Sequence, residues 1–210
     1  GTSWTAVNTL PGQNISNVNA VPNSTVNAGL QAGGSGAPTG QGVTPDGSPD
    51  AYPPYEAVPA TNAPSTDRPE CTNVASFDGT NWTSAARMVR GTSAHALGGN
   101  LNNAIAAGGS RDTSPSGLDA CSRFTQFWDY DVWSMGPDTP RDASSITGTG
   151  TQNSFTYGGG DSWYISSTDH YNGTTWSTGV NNIRPFNASP TNVSSGNSSN
   201  FLVTGVQSKK

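Results

Sequence analysis

Apolar residues occur along this chain only in short bursts, and none approaches the roughly 18 residues of a membrane-spanning helix. Four of the bursts end in glycine: Ala28-Gly29-Leu30-Gln31-Ala32-Gly33-Gly34, Ala104-Ile105-Ala106-Ala107-Gly108-Gly109, Ser154-Phe155-Thr156-Tyr157-Gly158-Gly159 and Phe201-Leu202-Val203-Thr204-Gly205. Runs of this length, bounded by glycine and polar turn residues, read as β-strands. A second anchor recurs in step with them. Asp78-Gly79-Thr80-Asn81-Trp82 is matched by Asn172-Gly173-Thr174-Thr175-Trp176, more loosely by Asp129-Tyr130-Asp131-Val132-Trp133, and by the terminal Gly1-Thr2-Ser3-Trp4. Asp-Gly and Asn-Gly are strong hairpin signals, because the turn needs residues at positive φ.

A third anchor fixes the unit. Eight residues after three of the tryptophans stands an arginine, Arg90 after Trp82, Arg141 after Trp133 and Arg184 after Trp176, whereas Trp4 is followed at that distance by Gly12. The steps from Trp82 to Trp133 (133 − 82 = 51) and from Trp133 to Trp176 (176 − 133 = 43) match the roughly 40 to 50 residues of a four-stranded propeller blade. Each unit then predicts a short strand after the arginine, a strand ending at Gly-Gly, a third strand such as Cys71 to Phe77, a tight turn, and a fourth strand opening with tryptophan. Counted this way, the chain holds a fourth strand at Trp4, three whole units, and the first two strands of another. A blade joining the two termini would lack its third strand, and so is expected to be three-stranded, to belong to a fragment of a longer chain, or to be completed by a strand from a neighbouring molecule.

An apolar strand closing in Gly-Gly, then an aromatic, then a tryptophan resembles the kelch motif. The form Tyr171-Asn172-Gly173-Thr174-Thr175-Trp176 is similar to the repeats of galactose-oxidase-type propellers and of phage and marine-microbial surface proteins. The resemblance implies an all-β propeller of about four blades, closed or incompletely closed, forming one domain over residues 1–210. A Pro-rich insertion over 35–70 interrupts the first whole unit. A kelch resemblance carries no particular activity.

Composition narrows the function. Hydrophobic residues, glycine not counted, make up 31% and charged residues 11% of the 210, against averages of about 45 to 50% with glycine counted and about 25% in globular chains. Glu and Lys occur only twice each, which disfavours helical surfaces. With 6 Trp, 6 Tyr and 6 Phe, aromatic side chains supply the core of a fold made of short strands and polar turns. The net charge of −5, with 9 scattered basic residues, leaves no footprint for nucleic acid. Neither the basic nor the apolar part of a signal peptide is present in the first ten residues.

Candidate chemistry is sparse. Trp4, Trp82, Trp133 and Trp176 share the repeat register and are expected to pack between blades. Arg90, Arg141 and Arg184 are expected to donate to turn carbonyls or carboxylates. Gly33, Gly34, Gly108, Gly109, Gly158 and Gly159 complete the structural anchors. Trp128 and Trp163 lie outside that register and are read as ligand candidates, together with Tyr52 and Tyr55 of the insertion, whose Tyr-Pro-Pro-Tyr run presents rigid aromatics on an extended backbone. The insertion holds eight of the 15 prolines, and reads either as a solvated tether or as a partner-binding arm. Arginines converging on one site would resemble a sialidase, but Glu56 and Glu70, the only glutamates, lie in the insertion. A galactose-oxidase copper site needs two His and two Tyr, and His95 and His170 fall at different places of the unit. Cys71 and Cys121 permit one disulfide. No catalytic residues, metal or cofactor are therefore assigned, and the chain is not read as an enzyme. The expectation is a subunit of a virion or extracellular assembly, of the phage tail or capsid appendage type, whose partners are copies of itself, other subunits, or a cell-surface glycan or receptor. A monomeric lectin-like propeller is the alternative, and a glycan-active enzyme comes third.

Overall fold

The computed structural model describes residues 6–8, 15–16, 19–21, 28–36, 74–111, 120–143, 146–159, 166–181, 193–197 and 200–204. All regular structure among them is antiparallel β. Sheet 1 runs β2 (Asn19–Ala20), β3 (Gly29–Ala32), β5 (Val74–Phe77), β6 (Trp82–Ala85). Sheet 2 runs β7 (Ala96–Asn100), β8 (Asn103–Ala107), β11 (Thr125–Asp129), β12 (Val132–Met135). Sheet 3 runs β13 (Ile146–Thr151), β14 (Ser154–Gly159), β15 (Thr168–Tyr171), β16 (Trp176–Thr178), and β17 (Val193–Asn197) pairs with β18 (Asn200–Thr204). Two small ladders flank these, β1 (Ile15–Ser16) with β4 (Ser35–Gly36) and β9 (Ser110–Arg111) with β10 (Ala120–Cys121). The four-stranded unit read from the anchors is thus realised three times, followed by a hairpin, and the sheets do not close into a ring.

Stacking explains the apolar bursts. The first strands pack side by side in chain order, β2 on β7, β7 on β13 and β13 on β17. Sheet 2 therefore lies between two neighbours, and alternate residues of β8 serve different cores. Ala104 and Ala106 join Leu30, Ala32 and Val74 of sheet 1, with Leu97, Trp128 and Trp133. Ile105 and Ala107 join Ile146, Phe155, Tyr157 and Tyr171 of sheet 3. A strand buried on both faces reads as a continuous apolar run, which is the Ala-Ile-Ala-Ala pattern found here.

The first two glycine doublets adopt one shared geometry, φ +67 and +112 at Gly33 and Gly34, and +64 and +104 at Gly108 and Gly109. A Cβ on Gly109 would stand 2.1 Å from Thr92 Oγ1 and 2.6 Å from the Ser93 carbonyl, so both space and conformation demand glycine there. The third doublet lies one residue further along than the sequence pattern places it. Strand pairing sets Phe155 opposite Tyr171 as Ala104 is set opposite Trp128, which makes Gly158 the counterpart of Ala107 and Gly159 that of Gly108. Gly158 is accordingly a strand residue. The counterpart of Gly109 is Gly160, outside the described residues. Ser35 and Gly36, the first residues of the Pro-rich insertion, form β4 against β1; the rest of the insertion, with Tyr52 and Tyr55, lies outside the described residues, as do Trp4, Trp163, Arg184 and Cys71.

Candidate functional site

Each of the three sheets carries one aromatic pair across its last hairpin. Phe77 faces Trp82, Trp128 faces Trp133 and Tyr171 faces Trp176, with ring centroids 5.2, 5.5 and 5.2 Å apart. This corrects the reading of Trp128 as a ligand contact. It occupies the third-strand aromatic place, is 2% exposed, and donates its indole N–H to the Leu101 carbonyl at 2.7 Å. Trp133 is 5% exposed in the core between sheets 1 and 2, while Trp82 and Trp176 are half-buried. Trp176 donates to Thr125 Oγ1 of β11 (3.0 Å) and to the Pro137 carbonyl in the linker after β12 (3.2 Å). In sheet 1 the place of Thr125 is taken by Val74, and Trp133 Nε1 has no hydrogen-bond partner. Val74→Thr is therefore expected to cost less than the about 1 to 3 kcal/mol of an unpartnered buried hydroxyl. Denaturant midpoints check this, and the advantage should vanish when Trp133 is also changed to Phe.

The arginines bind each sheet to the next. Gln126 of β11 clasps the Arg90 backbone, accepting its N–H at 2.9 Å and donating to its carbonyl at 3.0 Å, while the guanidinium lies 4.0 Å over the Phe124 ring. Arg141 donates through Nε to Asp169 Oδ2 at 2.6 Å and through Nη2 to the Ser167 carbonyl at 3.0 Å. Gln126 and Asp169 both stand two residues before the third-strand aromatic, and Phe124 and Ser167 both stand four before it. The two junctions are thus the same device with different side chains. Beside each arginine, the second glycine of the preceding doublet donates to the residue two places after the arginine, Gly34 to Thr92 (2.9 Å) and Gly109 to Ala143 (2.7 Å). Tyr157, paired with Asp169 across β14 and β15, has its phenol pushed up by burial and then by the Asp169 charge. A guanidinium committed to a buried carboxylate and a carbonyl acts as a structural tie between the sheets.

His95 is fully buried just before β7, where a Cβ on Gly33 would stand 2.8 Å from its ring and a Cβ on Gly109 would stand 2.8 Å from its own Cβ. Burial lowers its pKa to about 4. His170 lies in β15 of sheet 3, with Nδ1 3.0 Å from Thr156 Oγ1. The two histidines sit at different places of the unit, and among the described residues no group of three or more His, Cys, Asp or Glu side chains is arranged to hold a metal.

The connections divide between the two ends of the sheets. At one end are the tight turns, 100–103 and 151–154 within the first hairpins of sheets 2 and 3 and 78–81, 129–132 and 172–175 within the last, together with the longer 21–28 connection of sheet 1. Their polar residues fold the chain back on itself: Asp78 Oδ1 accepts from Thr80 and Asn81 at 2.8 and 2.7 Å, and Asn172 Oδ1 accepts from Thr174 and Thr175 at 2.9 Å each. From the opposite end leave the second-to-third connections, 33–73, 108–124 and 160–167, which contain Tyr52, Tyr55 and Trp163. The arginine linkers lie at this end too. Together these features define an all-β repeat protein built of stacked four-stranded antiparallel sheets. No protein-family model matches the chain, and no curated protein matches it significantly.

Proposed function

We propose that the chain is a kelch-like, propeller-type domain serving as a structural and binding subunit of an extracellular or virion assembly, of the phage tail or capsid appendage type. The observation that carries this reading is the placement of connections: five tight turns lie at one end of the stack, and the 33–73 connection, which holds the Pro-rich insertion, leaves from the other. Binding residues are characteristically placed on loops held by such a scaffold. The low charge and the Thr, Asn, Ser and Gly-rich strands fit a protein working outside the cell, with copies of itself, other subunits, or a surface glycan or receptor as partners. Trp128 and Trp133, buried between sheets, are not available for stacking on sugars, which weighs against a lectin-like reading that would use them.

Deleting residues 37–70 tests the proposal. The expected outcome is a core that keeps its β circular dichroism and cooperative unfolding while losing self-association by sedimentation and scattering. A deletion variant that assembles like the parent, or a parent chain that stays monomeric at high concentration, overturns it.

A further inference from the structure

The hairpin tip of sheet 2 departs from its two sisters at three positions. The sisters read Asp78-Gly79-Thr80-Asn81 and Asn172-Gly173-Thr174-Thr175, with both glycines at φ +95. Sheet 2 has Asp129-Tyr130-Asp131-Val132 in a turn of the same length, and Tyr130 takes a left-handed φ of +58. Folding alone favours glycine at that place, because a Cβ is disfavoured at positive φ. The tyrosine side chain makes no core contact that would explain it, being 68% exposed beside Val132 at 55%. The first position has also changed its work. In the sisters its side-chain oxygen accepts two turn N–H groups; here the Asp131 N–H goes to the Asp129 carbonyl at 2.6 Å, and Tyr130 donates its own N–H to the Asn102 carbonyl of the neighbouring turn at 2.9 Å. Asp129 and Asp131 are exposed, and neither is ion-paired among the described residues.

We propose that this tip, with the Tyr130 ring at its apex and Val132 beside it, docks an arginine- or lysine-bearing segment of a partner protein. Charge complementarity selects the occupant. A cation laid on an aromatic face gains from the ring quadrupole, and two adjacent carboxylates offer a guanidinium fork its acceptors. The Asn102 tie holds the turn in place before binding, which limits the ordering cost. The tip lies at the end opposite the long connections, so it supplies a second contact surface independent of the function proposed above.

The test uses the whole chain and an arginine-rich peptide at low salt, followed by two-dimensional NMR. Shifts are expected to concentrate on residues 129–132 and 102, and the affinity should fall as salt rises. Tyr130→Gly is the informative variant, since it restores the sister sequence: its thermal midpoint should equal or exceed the parent's while its affinity drops about two- to fivefold. Asp129→Asn with Asp131→Asn should lower affinity again. Peptide shifts that fall elsewhere, unchanged affinity in Tyr130→Gly, or a neutral oligosaccharide that perturbs the tip where the peptide does not, would each overturn the assignment.

Discussion

Replacing Trp133 with alanine is expected to lower the free energy of unfolding by about 3 to 5 kcal/mol. The ring is 5% exposed and fills the space between sheets 1 and 2, against Trp128 and among Leu30, Ala32, Val74 and Leu97. A cavity of that size between two backbones held by strand ladders cannot collapse, so the transfer and cavity costs add. The loss rivals the roughly 5 to 15 kcal/mol of total stability of a typical domain. Trp133→Phe should cost far less, because the indole N–H that it removes has no partner to lose. Denaturant unfolding of both variants, with the exposed Val132→Ala as control, checks the pair. A Trp133→Ala loss below about 1 kcal/mol would place the ring outside any core.

The second large effect is an acid-labile step centred on His95. Its folded pKa lies near 4, below the ordinary value of 6.5, because burial disfavours the imidazolium. Above pH 6.5 the ring is neutral in both states and contributes no slope. As pH falls from 6.5 to 4 the unfolded chain takes up the proton first, so the folded state loses on the order of 3 kcal/mol across that window. Below 4 the two states are again protonated alike. Asp78 acts elsewhere on the scale: the N–H groups of Asn81 and Thr80 hold its carboxyl below the ordinary 3.8, and its contribution is lost only as pH falls through that lower range. The measurement is unfolding free energy at pH 7, 5.5 and 4 for the parent and His95→Gln. The variant should show a flatter dependence between 6.5 and 4 whatever its absolute stability, and parallel curves would refute the assignment.

The order of strands was legible because its signals are local. Asp78-Gly79 and Asn172-Gly173 announce their turns by the positive φ that glycine permits, and the burst before each glycine doublet has strand length. Trp128 was misplaced because its role comes from pairing opposite Trp133, which no spacing rule applied to tryptophans alone could show. Counting third-strand aromatics in the same way, from Phe77 to Trp128 to Tyr171, would have found it. The shift at Gly158 has another origin: Gly158-Gly159-Gly160 offers two equivalent doublets in sequence, and only the pairing of Phe155 with Tyr171 chooses between them. Gln126 and Asp169 escaped notice because their partners, Arg90 and Arg141, belong to the linker leaving the preceding sheet. Nothing in a glutamine or an aspartate within a strand announces that meeting. The second-to-third connections are least legible of all, since they are not set by the repeat.

The junction between sheets has a bearing on how such a chain changes over evolutionary time. Each junction is assembled from the end of one unit and the start of the next: the doublet glycine, the linker arginine, and the third-strand residue that receives it. Among the described residues the contacts between sheets join sequence neighbours, so stability is close to a sum over neighbours. Tandem duplication of one 43- or 51-residue unit (176 − 133 and 133 − 82) would therefore arrive with matched couplings on both sides. Sheet number becomes a heritable variable that recombination can raise or lower without redesigning a core, and the span between the two flanks of the stack follows from it.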